Sequence, residues 1–406
     1  MIKKIQQDFS YYSHEFKDNY RKGVHRLRTI LASRAQAQAF VSNAGGTAVV
    51  LGYEPDAPDK NAQELYALLA ASPYIDDAVQ TFLGSIYETG AENQNAMYSD
   101  SARCLEILHD PVMARAAGAG AVSAGKWIAT LAGQSCNLYR DMNAVAASDI
   151  AMTAVAASET AMAAVVSNAT ALNAVVTSQA AMNAVAASET AMAAIAASQT
   201  AMAAVIGNSA ALNAVVSSQT AMAAVAASQT AMAAVAASYV AVAAVYGSAV
   251  AVDAIKVNET AWATLTGATS AVMGKAVAVL SGLNPDSYAD MTAVASSSTA
   301  MTAVAASSTA LSAVAASTTA LDALYAKKKR MSGASASLSG KFIILQISND
   351  NAFDTSRYGY ATLSDGSKPK WDSYKDKYAY FKQYKKIATY MKNDTDSDDW
   401  IDYFQC

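Results

Sequence analysis

A ten-residue phrase, repeated through the middle of the chain, is the feature that most limits how this sequence can fold. The phrase runs through residues 141–265 and returns at residues 290–324. One copy, residues 191–200, reads Ala-Met-Ala-Ala-Ile-Ala-Ala-Ser-Gln-Thr, and we number its residues as positions 1 to 10. In every complete copy position 2 is apolar, position 5 is Val, Ile or Leu, and position 8 is Ser or Asn.

This spacing predicts a series of short helices rather than one long helix. Ten residues advance by about 1000° along an α-helix, so the apolar residues of a single helix would drift by roughly 80° from one copy to the next. A helix that restarts in each copy avoids this drift. Ser or Asn at position 8 is a preferred N-cap, because its side-chain oxygen accepts a hydrogen bond from a free backbone N–H. We therefore expect helices that run from position 9 to about position 7.

Each expected helix buries positions 2 and 5 and begins after position 8. The predicted core residues are Met182, Val185, Met192, Ile195, Met202, Val205, Leu212, Val215, Met222 and Val225. The predicted N-caps are Ser188, Ser198, Asn208, Ser218 and Ser228. Helices this short are stable only when they pack on neighbours, as in a solenoid. The predicted fold class is mainly α: a solenoid-like array of short helices, with an N-terminal helical domain and a small C-terminal α+β module.

The composition of the repeats is also compatible with two other architectures. A β-solenoid of the pentapeptide type remains an alternative, although it requires a bulky residue every five positions and position 7 is Ala, Ser, Thr, Gly or Val. Membrane insertion is raised by the absence of any charged residue from Thr190 to Val252. Polar residues nevertheless recur in every copy, and no clean apolar run of about 20 residues is present. We therefore predict no membrane insertion.

The character of the sequence changes on both sides of the repeats and predicts four segments. They are an N-terminal helical attachment domain at 1–140, the array at 141–330 with an interruption at about 271–289, a linker at 331–340, and a C-terminal α+β module at 341–406. In the first segment, helices are expected at 6–39, 61–71 and 73–87, the last opened by Ser72 and Pro73. In the last segment, strands are expected at 341–348 and 357–363, a turn at 365–366 and a helix at 371–392.

Candidate catalytic and metal-binding patterns are weak. Residues 120–126 have the Gly-x-x-x-x-Gly-Lys spacing of a phosphate loop, but Trp127 replaces the magnesium-binding Ser or Thr and no strand precedes the motif. We attribute this spacing to chance. Cys104, Cys136 and Cys406 are expected to be ordinary thiols, and the three isolated histidines are not expected to bind a metal. We predict that the chain is not an enzyme and carries no cofactor.

The C-terminal segment contains an aromatic group and an acidic group. The candidate partner surface consists of Trp371, Tyr374, Tyr378 and Tyr384, whose helical spacing is also typical of a core-facing stripe. Asp394, Asp396 and Asp398 resemble the opening of a calcium loop, but the sixth and twelfth positions lack the required Gly and Glu. Calcium is therefore only faintly indicated. The basic run at 327–330 is expected to solvate and cap the last helix.

The repeated phrases resemble those of a known group of virion proteins. Residues 181–188, Ala-Met-Asn-Ala-Val-Ala-Ala-Ser, and residues 297–307 are similar to the decapeptide arrays of tailed-bacteriophage tail fibres and related virion proteins. The resemblance covers residues 141–324. It implies a tail component in which the repeats form a shaft or spacer, partnered by other tail proteins and by a host surface receptor or glycan. It leaves a homo-oligomer open.

The N-terminal residues, the net charge and the composition of the repeats bear on localisation and on alternative functions. The first ten residues lack the apolar core of a signal peptide, so we expect synthesis in the host cytoplasm and incorporation into a virion. A net charge of −4 does not favour nucleic acid. A bacterial surface adhesin or carbohydrate-binding protein is the alternative, and ice binding is a lesser one, based on Thr at position 10. Five residues interrupt that threonine series: Ile150, Ala180, Ala210, Val240 and Val250.

Overall fold

The structure is a computed structural model that describes residues 3–52, 60–87, 94–332, 336–349, 358–372, 379–381, 386–393 and 400–405. Within these residues the chain forms 28 α-helices followed by a seven-stranded antiparallel sheet. The predicted fold class, a mainly helical array with a small sheet-containing module at its C-terminal side, is therefore confirmed. The chain divides into two compact units, residues 1–224 and residues 225–406.

Ten helices precede the repeats in the first unit. They are α1 (Lys3–Lys17), α2 (Tyr20–Ala32), α3 (Arg34–Val41), α4 (Ala44–Leu51), α5 (Lys60–Ala70), α6 (Ile75–Ile86), α7 (Gln94–Tyr98), α8 (Ser101–His109), α9 (Pro111–Ala117) and α10 (Ala121–Leu131). The single helix expected at residues 6–39 is thus three helices, broken in part where Ser33 adopts an extended backbone. The helix expected to open at Ser72 begins instead at Ile75. The Ser72 hydroxyl donates to the carbonyl of Leu69 and closes the preceding helix.

The repeats form the array of short helices that their spacing predicts. Its helices are α11 (Met142–Ala146), α12 (Asp149–Ala157), α13 (Glu159–Ser167), α14 (Ala169–Thr177), α15 (Gln179–Ala187), α16 (Glu189–Ala197), α17 (Gln199–Gly207), α18 (Ser209–Val216), α19 (Gln219–Ala227), α20 (Gln229–Ala237), α21 (Tyr239–Gly247), α22 (Ala249–Lys256) and α23 (Glu259–Thr266). Within the residues described, the repeats contain no strand, so the β-solenoid alternative is wrong.

A single residue at position 8 ends one helix and begins the next. The N–H of Ser198 donates to Ile195 O at 3.1 Å, which closes α16. The carbonyl of the same residue accepts from Met202 N at 2.9 Å, and its hydroxyl accepts from Ala201 N at 3.2 Å. Its backbone is extended, with φ −104° and ψ 116°. Ser188 has the same extended backbone and turns the chain by 100° between the consecutive helices α15 and α16, so one residue is a sufficient link.

Three helices complete each turn of the array. The hydroxyl of Ser178 donates to Ala146 O at 2.6 Å, and that of Ser188 donates to Ala156 O at 2.5 Å. In the second unit the side-chain N–H of Asn258 donates to Ala226 O at 3.0 Å. Each bond spans 32 residues, so each of these corners stacks on the corner three repeats earlier. Both ends of α15 bond in this way to the corresponding ends of α12, which makes the two helices parallel.

The interior of the array is formed by positions 1, 2 and 5. Met192, Ile195 and Ala191 are completely buried. The other residues that the sequence assigned to the core are at most 5% exposed: Met182, Val185, Met202, Val205, Leu212, Val215, Met222 and Val225. Alanine at position 1 brings adjacent helices close together, and the larger residues at positions 2 and 5 fill the space between them.

Replacing Ser188 by alanine tests the double role of position 8. We expect Ser188→Ala to lower the free energy of unfolding by about 1–2 kcal/mol, because it removes the cap and leaves Ala156 O without its donor. Ser188→Asp is the matched control, since a carboxylate can accept from Ala191 N but cannot donate. Urea denaturation should place Ser188→Asp above Ser188→Ala but below the wild type, because the aspartate keeps the cap and loses only the bond to Ala156 O. If the aspartate variant matched the wild type, the bond to Ala156 would contribute nothing.

The interruption at about 271–289 is mostly helical rather than a loop. The chain forms α24 (Ser270–Leu280) and a 3₁₀ turn (Pro285–Ser287), and the repeats then resume as α25 (Met291–Ser296), α26 (Ser298–Ala306), α27 (Ser308–Ala316) and α28 (Thr318–Tyr325). Position 8 again supplies the caps, with Ser307 accepting from Ala310 N at 3.1 Å. The second set of repeats therefore follows the same local rules as the first.

The C-terminal sheet follows directly from the array. Its strands are β1 (Lys329–Ser332), β2 (Ala336–Asn349), β3 (Tyr358–Leu363), β4 (Lys370–Asp372), β5 (Ala379–Phe381), β6 (Lys386–Asn393) and β7 (Trp400–Gln405). The order is β1-β7-β2-β6-β3-β4, with β5 also paired to β2, and all pairs are antiparallel. The linker predicted at 331–340 is wrong, because β1 and β2 cover seven of those ten positions.

The helix predicted at 371–392 is also wrong. The described parts of that segment are strands β4, β5 and β6, and the positive φ of Gly366 (82°) supplies the predicted turn before them. Aromatic residues three or four apart imitate a helical stripe. In the structure, however, β6 hydrogen-bonds to β2 on one side and to β3 on the other, and Ala388 and Met391 are buried. Cross-strand pairing and burial override a weak helical pattern.

Candidate functional site

The phosphate-loop spacing at 120–126 does not form a loop. Gly125 and Lys126 lie inside helix α10, and Trp127 is completely buried, with its Nε1 donating to Cys104 O at 3.0 Å. A phosphate loop presents several backbone N–H groups to one anion, which a residue in the middle of a helix cannot do. The interpretation of this motif as chance is consistent with its placement, but the glycine and lysine have a structural role.

The segment around Gly125 recurs in the chain, which sequence analysis overlooked. Residues 125–145 and 274–294 share the pattern Gly-Lys-x₆-Gly-x₅-Tyr-x-Asp-Met-x-Ala-Val. We call the two copies start elements: α10, its 3₁₀ turn (Cys136–Leu138) and α11 form the first, and α24, its 3₁₀ turn and α25 form the second. A search for spacings outside the decapeptide register would have found the repetition.

The glycine of each start element allows two backbones to touch. A Cβ atom on Gly125 would lie 2.3 Å from the carbonyl carbon of Asp141, and one on Gly274 would lie 2.2 Å from that of Asp290. Both neighbours are backbone atoms, which cannot move aside as a flexible side chain can. Helices α10 and α24 therefore contact the backbone of the first residue of their array, and only glycine fits at these contacts.

The aspartate of each start element is the first N-cap of its array. Asp141 Oδ1 accepts from Ala144 N at 2.9 Å, and Asp290 Oδ1 accepts from Ala293 N at 2.8 Å. Burial acts to raise the pKa of the Asp141 carboxyl. The hydrogen bonds from Ala144 and Arg140 outweigh that effect and hold this pKa below its usual range. The carboxylate is thus a fixed anion at a helix N-terminus, where the helix dipole favours it.

Each start element also reverses the direction of the chain. The hydroxyl of Ser158, at the start of α13, donates to Leu131 O at the end of α10, whereas Thr170, just after α13, donates to Ala119 O before α10. Helices α10 and α13 are therefore antiparallel, unlike the parallel pair α12 and α15. The bonds from Ser307 to Leu280 O and from Ser317 to Thr266 O repeat this arrangement for α24 and α27.

The N-terminal helices complete the first start element. Helix α10 follows Gly120, which has no side chain to cap it, and Asp76 of α6 supplies the missing acceptor through a 2.9 Å bond from Ser123 N. Burial raises the pKa of Asp76. A Cβ on Gly120 would lie 2.1 Å from the Asp76 carboxylate, so the absence of a side chain at Gly120 allows Asp76 to cap α10.

The two described cysteines lie in the same region and are buried. Cys104 donates to Tyr98 O at 3.5 Å, and Cys136 donates to Asn95 O at 3.6 Å. Burial raises the pKa of Cys104 to about 12, so the thiolate needed for nucleophilic chemistry is not formed at neutral pH. Cys406 lies outside the described residues. The geometry gives neither described cysteine a reactive environment.

A buried carboxylate joins the array to the sheet in the second unit. Asp402 of β7 has a fully buried side chain that accepts from Arg330 Nε at 2.6 Å, from Arg330 Nη2 at 2.9 Å and from Lys328 Nζ at 2.6 Å. The guanidinium of Arg330 also lies 3.7 Å from the centre of the Trp400 ring. The basic run at 327–330, expected to solvate the last helix, instead supplies the partners of this carboxylate.

The residue at position 10 differs between the three stacks of helices in the first unit. Two stacks carry Thr at this position, and the third carries Ile or Ala. In the first unit Thr160, Thr190 and Thr220 lie on the stacked helices α13, α16 and α19, and Thr170 and Thr200 lie on α14 and α17. The interrupting residues Ile150, Ala180 and Ala210 all lie on the third stack. Because they are spaced by 30 residues, they leave the threonine columns intact, and the expectation of an interrupted threonine face is wrong within this unit.

The predicted C-terminal sites lie largely beyond the described part of the chain. Tyr374, Tyr378 and Tyr384 are outside it, as are the acidic residues of the calcium-like segment at 394–399. Only the backbone of Trp371 is described, in β4. Among the residues that the structure covers, no group of three or more His, Cys, Asp or Glu side chains could hold a metal ion.

Comparisons with known proteins do not identify the chain. No protein-family model matches it, and no curated protein matches its sequence. Among the helices described, none is long and apolar enough to span a membrane alone; six pairs of consecutive helices reach that length and composition only across a bend of 85–106°.

Proposed function

We propose that the chain is a structural, non-enzymatic spacer of a virion, a tail fibre or tail-associated protein. The observation that carries this proposal is the double role of the Ser or Asn at position 8. Its side chain caps the helix that follows it and also bonds to a backbone carbonyl in the preceding turn of the array, as Ser188 does. An array of this kind contacts only its neighbouring coils and can be extended indefinitely, provided its ends are covered. In the first unit the N-terminal helices cover α10, and in the second the sheet packs on α27 and α28.

A duplication within the array supports a spacer whose length varies. Residues 142–181 and 182–221 are identical at 29 of 40 positions. Four decapeptides are not a whole number of three-helix turns, so a duplication of this length shifts the helices that follow it to a different stack. A surface with a fixed recognition pattern on one stack would have been displaced by such an event, whereas a spacer tolerates it.

Deleting one decapeptide tests the modularity that a spacer requires. Removing residues 191–200 should leave helicity per residue unchanged and shift the unfolding temperature by only a few degrees, because each corner still meets an equivalent corner. Removing residues 191–195 should lower the free energy of unfolding by more than about 4 kcal/mol, because it brings position 6 to the place of position 1 and unstacks the corners. Circular dichroism with thermal unfolding compares the two. Equal loss of stability in both variants would contradict modular packing.

The virion role can be tested on particles. The resemblance of residues 181–188 and 297–307 to tail-fibre decapeptides supports it, and the partners it implies are other tail proteins and a host receptor or glycan. Gold-labelled antibodies against the purified chain should decorate the tails of phage particles released from the producing cells. Mass spectrometry of the same purified particles should recover its peptides. A chain found only in the cell fraction, with unlabelled particles, would rule this role out.

Ice binding is the second candidate, favoured by the aligned threonine columns. Thr160, Thr190 and Thr220 occur at identical positions of stacked helices. A regular column of hydroxyl and methyl groups is an arrangement that can order water in a lattice. Thermal hysteresis of the purified protein tests this candidate. Hysteresis equal to that of a control protein of the same size, or unchanged on replacing Thr190 and Thr220 by lysine, would exclude it.

A further inference from the structure

An open groove runs along the flank of the array between the stacked helices α15 and α18. Its volume is about 410 Å³, within the range of small-molecule binding sites. Exposed polar side chains line it, namely Gln179, Asn183, Asn213 and Ser217. The methyl group of Ala186, which is buried, lies beneath them. The groove thus has a polar rim over an apolar floor.

The amides of this groove have unused hydrogen-bonding capacity. The Nε2 of Gln179 donates to Asn183 Oδ1 at 2.7 Å, which fixes the orientation of both side chains. Within the described part of the chain, the Nδ2 of Asn183 and both polar atoms of the Asn213 side chain have no intramolecular hydrogen-bond partner. The lining holds no ionisable side chain. The site therefore offers paired donors and acceptors without charge.

The C-terminal end of α18 borders the groove. This helix stops at Val216, one residue earlier than its neighbour α15 does in the repeat, and Ser217 takes up a helical turn conformation with φ −89° and ψ −9°. The following corner is still held, because the Ser218 hydroxyl donates to Ala186 O. The stack of α15 and α18 is therefore held at the corner beside the groove.

We propose that this groove binds a neutral oligosaccharide. Side-chain amides donate and accept at once, which matches adjacent hydroxyl groups of a sugar ring. The alanine methyl groups offer an apolar surface for the C–H face of the same ring. An anion would need a cation in the lining, and an extended peptide would need an exposed strand edge or pockets for apolar side chains, neither of which this groove provides. The inference concerns the array itself and does not depend on the virion role.

The duplicated part of the array contains a matched control site. Asn143 and Asn173, on α11 and α14, correspond to the amide pair of the groove through the 40-residue duplication. Tyr139 stands where the groove has Gln179, so this pair lacks the orienting amide and has a bulkier neighbour. The two pairs share their helix position and their stacked geometry. They differ in the feature on which binding depends.

Saturation-transfer NMR and calorimetry on the full chain test the proposal. The probes are maltotetraose, cellotetraose and chitotetraose, three neutral tetrasaccharides with different linkages. We expect at least one to bind with a Kd on the order of 1 mM, as befits a few neutral hydrogen bonds in an open site. The double variant Asn183→Ala/Asn213→Ala should weaken that binding at least tenfold. The control variant Asn143→Ala/Asn173→Ala should leave it unchanged.

Three results would overturn the proposal. The first is the absence of binding by all three probes to the wild-type chain. The second is an equal loss of binding in the two double variants, since a general structural defect would then be the cause. The third is binding of an uncharged peptide, rich in serine and asparagine, in place of the sugars. Both variants should fold, because the replaced side chains are exposed and lie outside the core. Circular dichroism of each variant checks this.

Discussion

Replacing Gly125 by alanine should lower the free energy of unfolding of the first unit by about 2–3 kcal/mol. The added methyl group would lie 2.3 Å from Asp141 C and 2.4 Å from Met142 N, so the helix must move away from the array. Overpacking of this kind costs about 1–3 kcal/mol or more, and contact with backbone places the cost at the upper end. The better helix propensity of alanine offsets about 1 kcal/mol of it. Urea denaturation of the full chain measures the result.

Gly207 provides the control for that substitution. It is also a helical glycine, at the end of α17, and no atom lies within 4 Å of the position of an added Cβ. Gly207→Ala should therefore stabilise the chain by up to about 1 kcal/mol. The same chemical change thus has opposite signs at the two sites. If both variants were stabilised, the close crossing in the start element would be contradicted. Gly274→Ala should behave like Gly125→Ala in the second unit.

Replacing Asp402 by asparagine should lower the free energy of unfolding of the second unit by about 2–3 kcal/mol. Breaking a buried ion pair costs about 3–5 kcal/mol when a charge is left buried, but Lys328 and Arg330 are 27% and 46% exposed and can return to water. The loss should therefore fall below that range. Lys329→Met is the control, because its exposed Nζ only donates to Gln405 Oε1 at 2.9 Å. That variant should change stability by less than about 0.5 kcal/mol.

The same substitution has a predictable dependence on pH. Burial acts to raise the pKa of Asp402, but the hydrogen bonds and charges of Arg330 and Lys328 outweigh it, so this pKa lies below its usual value. Because the folded pKa is the lower one, the stabilisation is fully present above the unfolded pKa of about 4 and disappears as the pH falls through the folded value. The difference between wild type and Asp402→Asn should therefore shrink in acid. A difference that stayed constant down to pH 2 would show that charge is not the cause.

Much of the local structure of the array follows from its sequence. Ser198 at position 8 forms an N-cap because its side-chain oxygen accepts a hydrogen bond from Ala201 N, three residues later. Met192 and Ile195 are buried because they share a helix face once the helix restarts. These features depend on residues fewer than ten positions apart, and spacing alone specifies them.

The elements that sequence analysis missed depend on distant residues. The sequence predicts a helix where β6 lies, because the strands that pair with it, β2 and β3, are distant in the chain. The role of Gly125 depends on Asp141, which approaches it only after a chain reversal. Asp402 gains its importance from Lys328 and Arg330, more than seventy residues earlier. The strand pairs and the Asp402 ion pairs leave no signature in a local window, and the pair of Gly125 and Asp141 is detectable only through the recurrence of its pattern at 274–294.

The sequence by itself determines that short helices begin at each position 8 and bury positions 2 and 5. The number of helices per turn of the array, three, is decided only by the tertiary structure. A ten-residue period fixes the length of each helix but not how many helices complete one turn. The corners determine this number. The chain bends by about 100° between consecutive helices, and the Ser188 hydroxyl donates to the carbonyl of Ala156, 32 residues earlier. That bond sorts position 10 into columns and places Asn183 beside Asn213 across the groove.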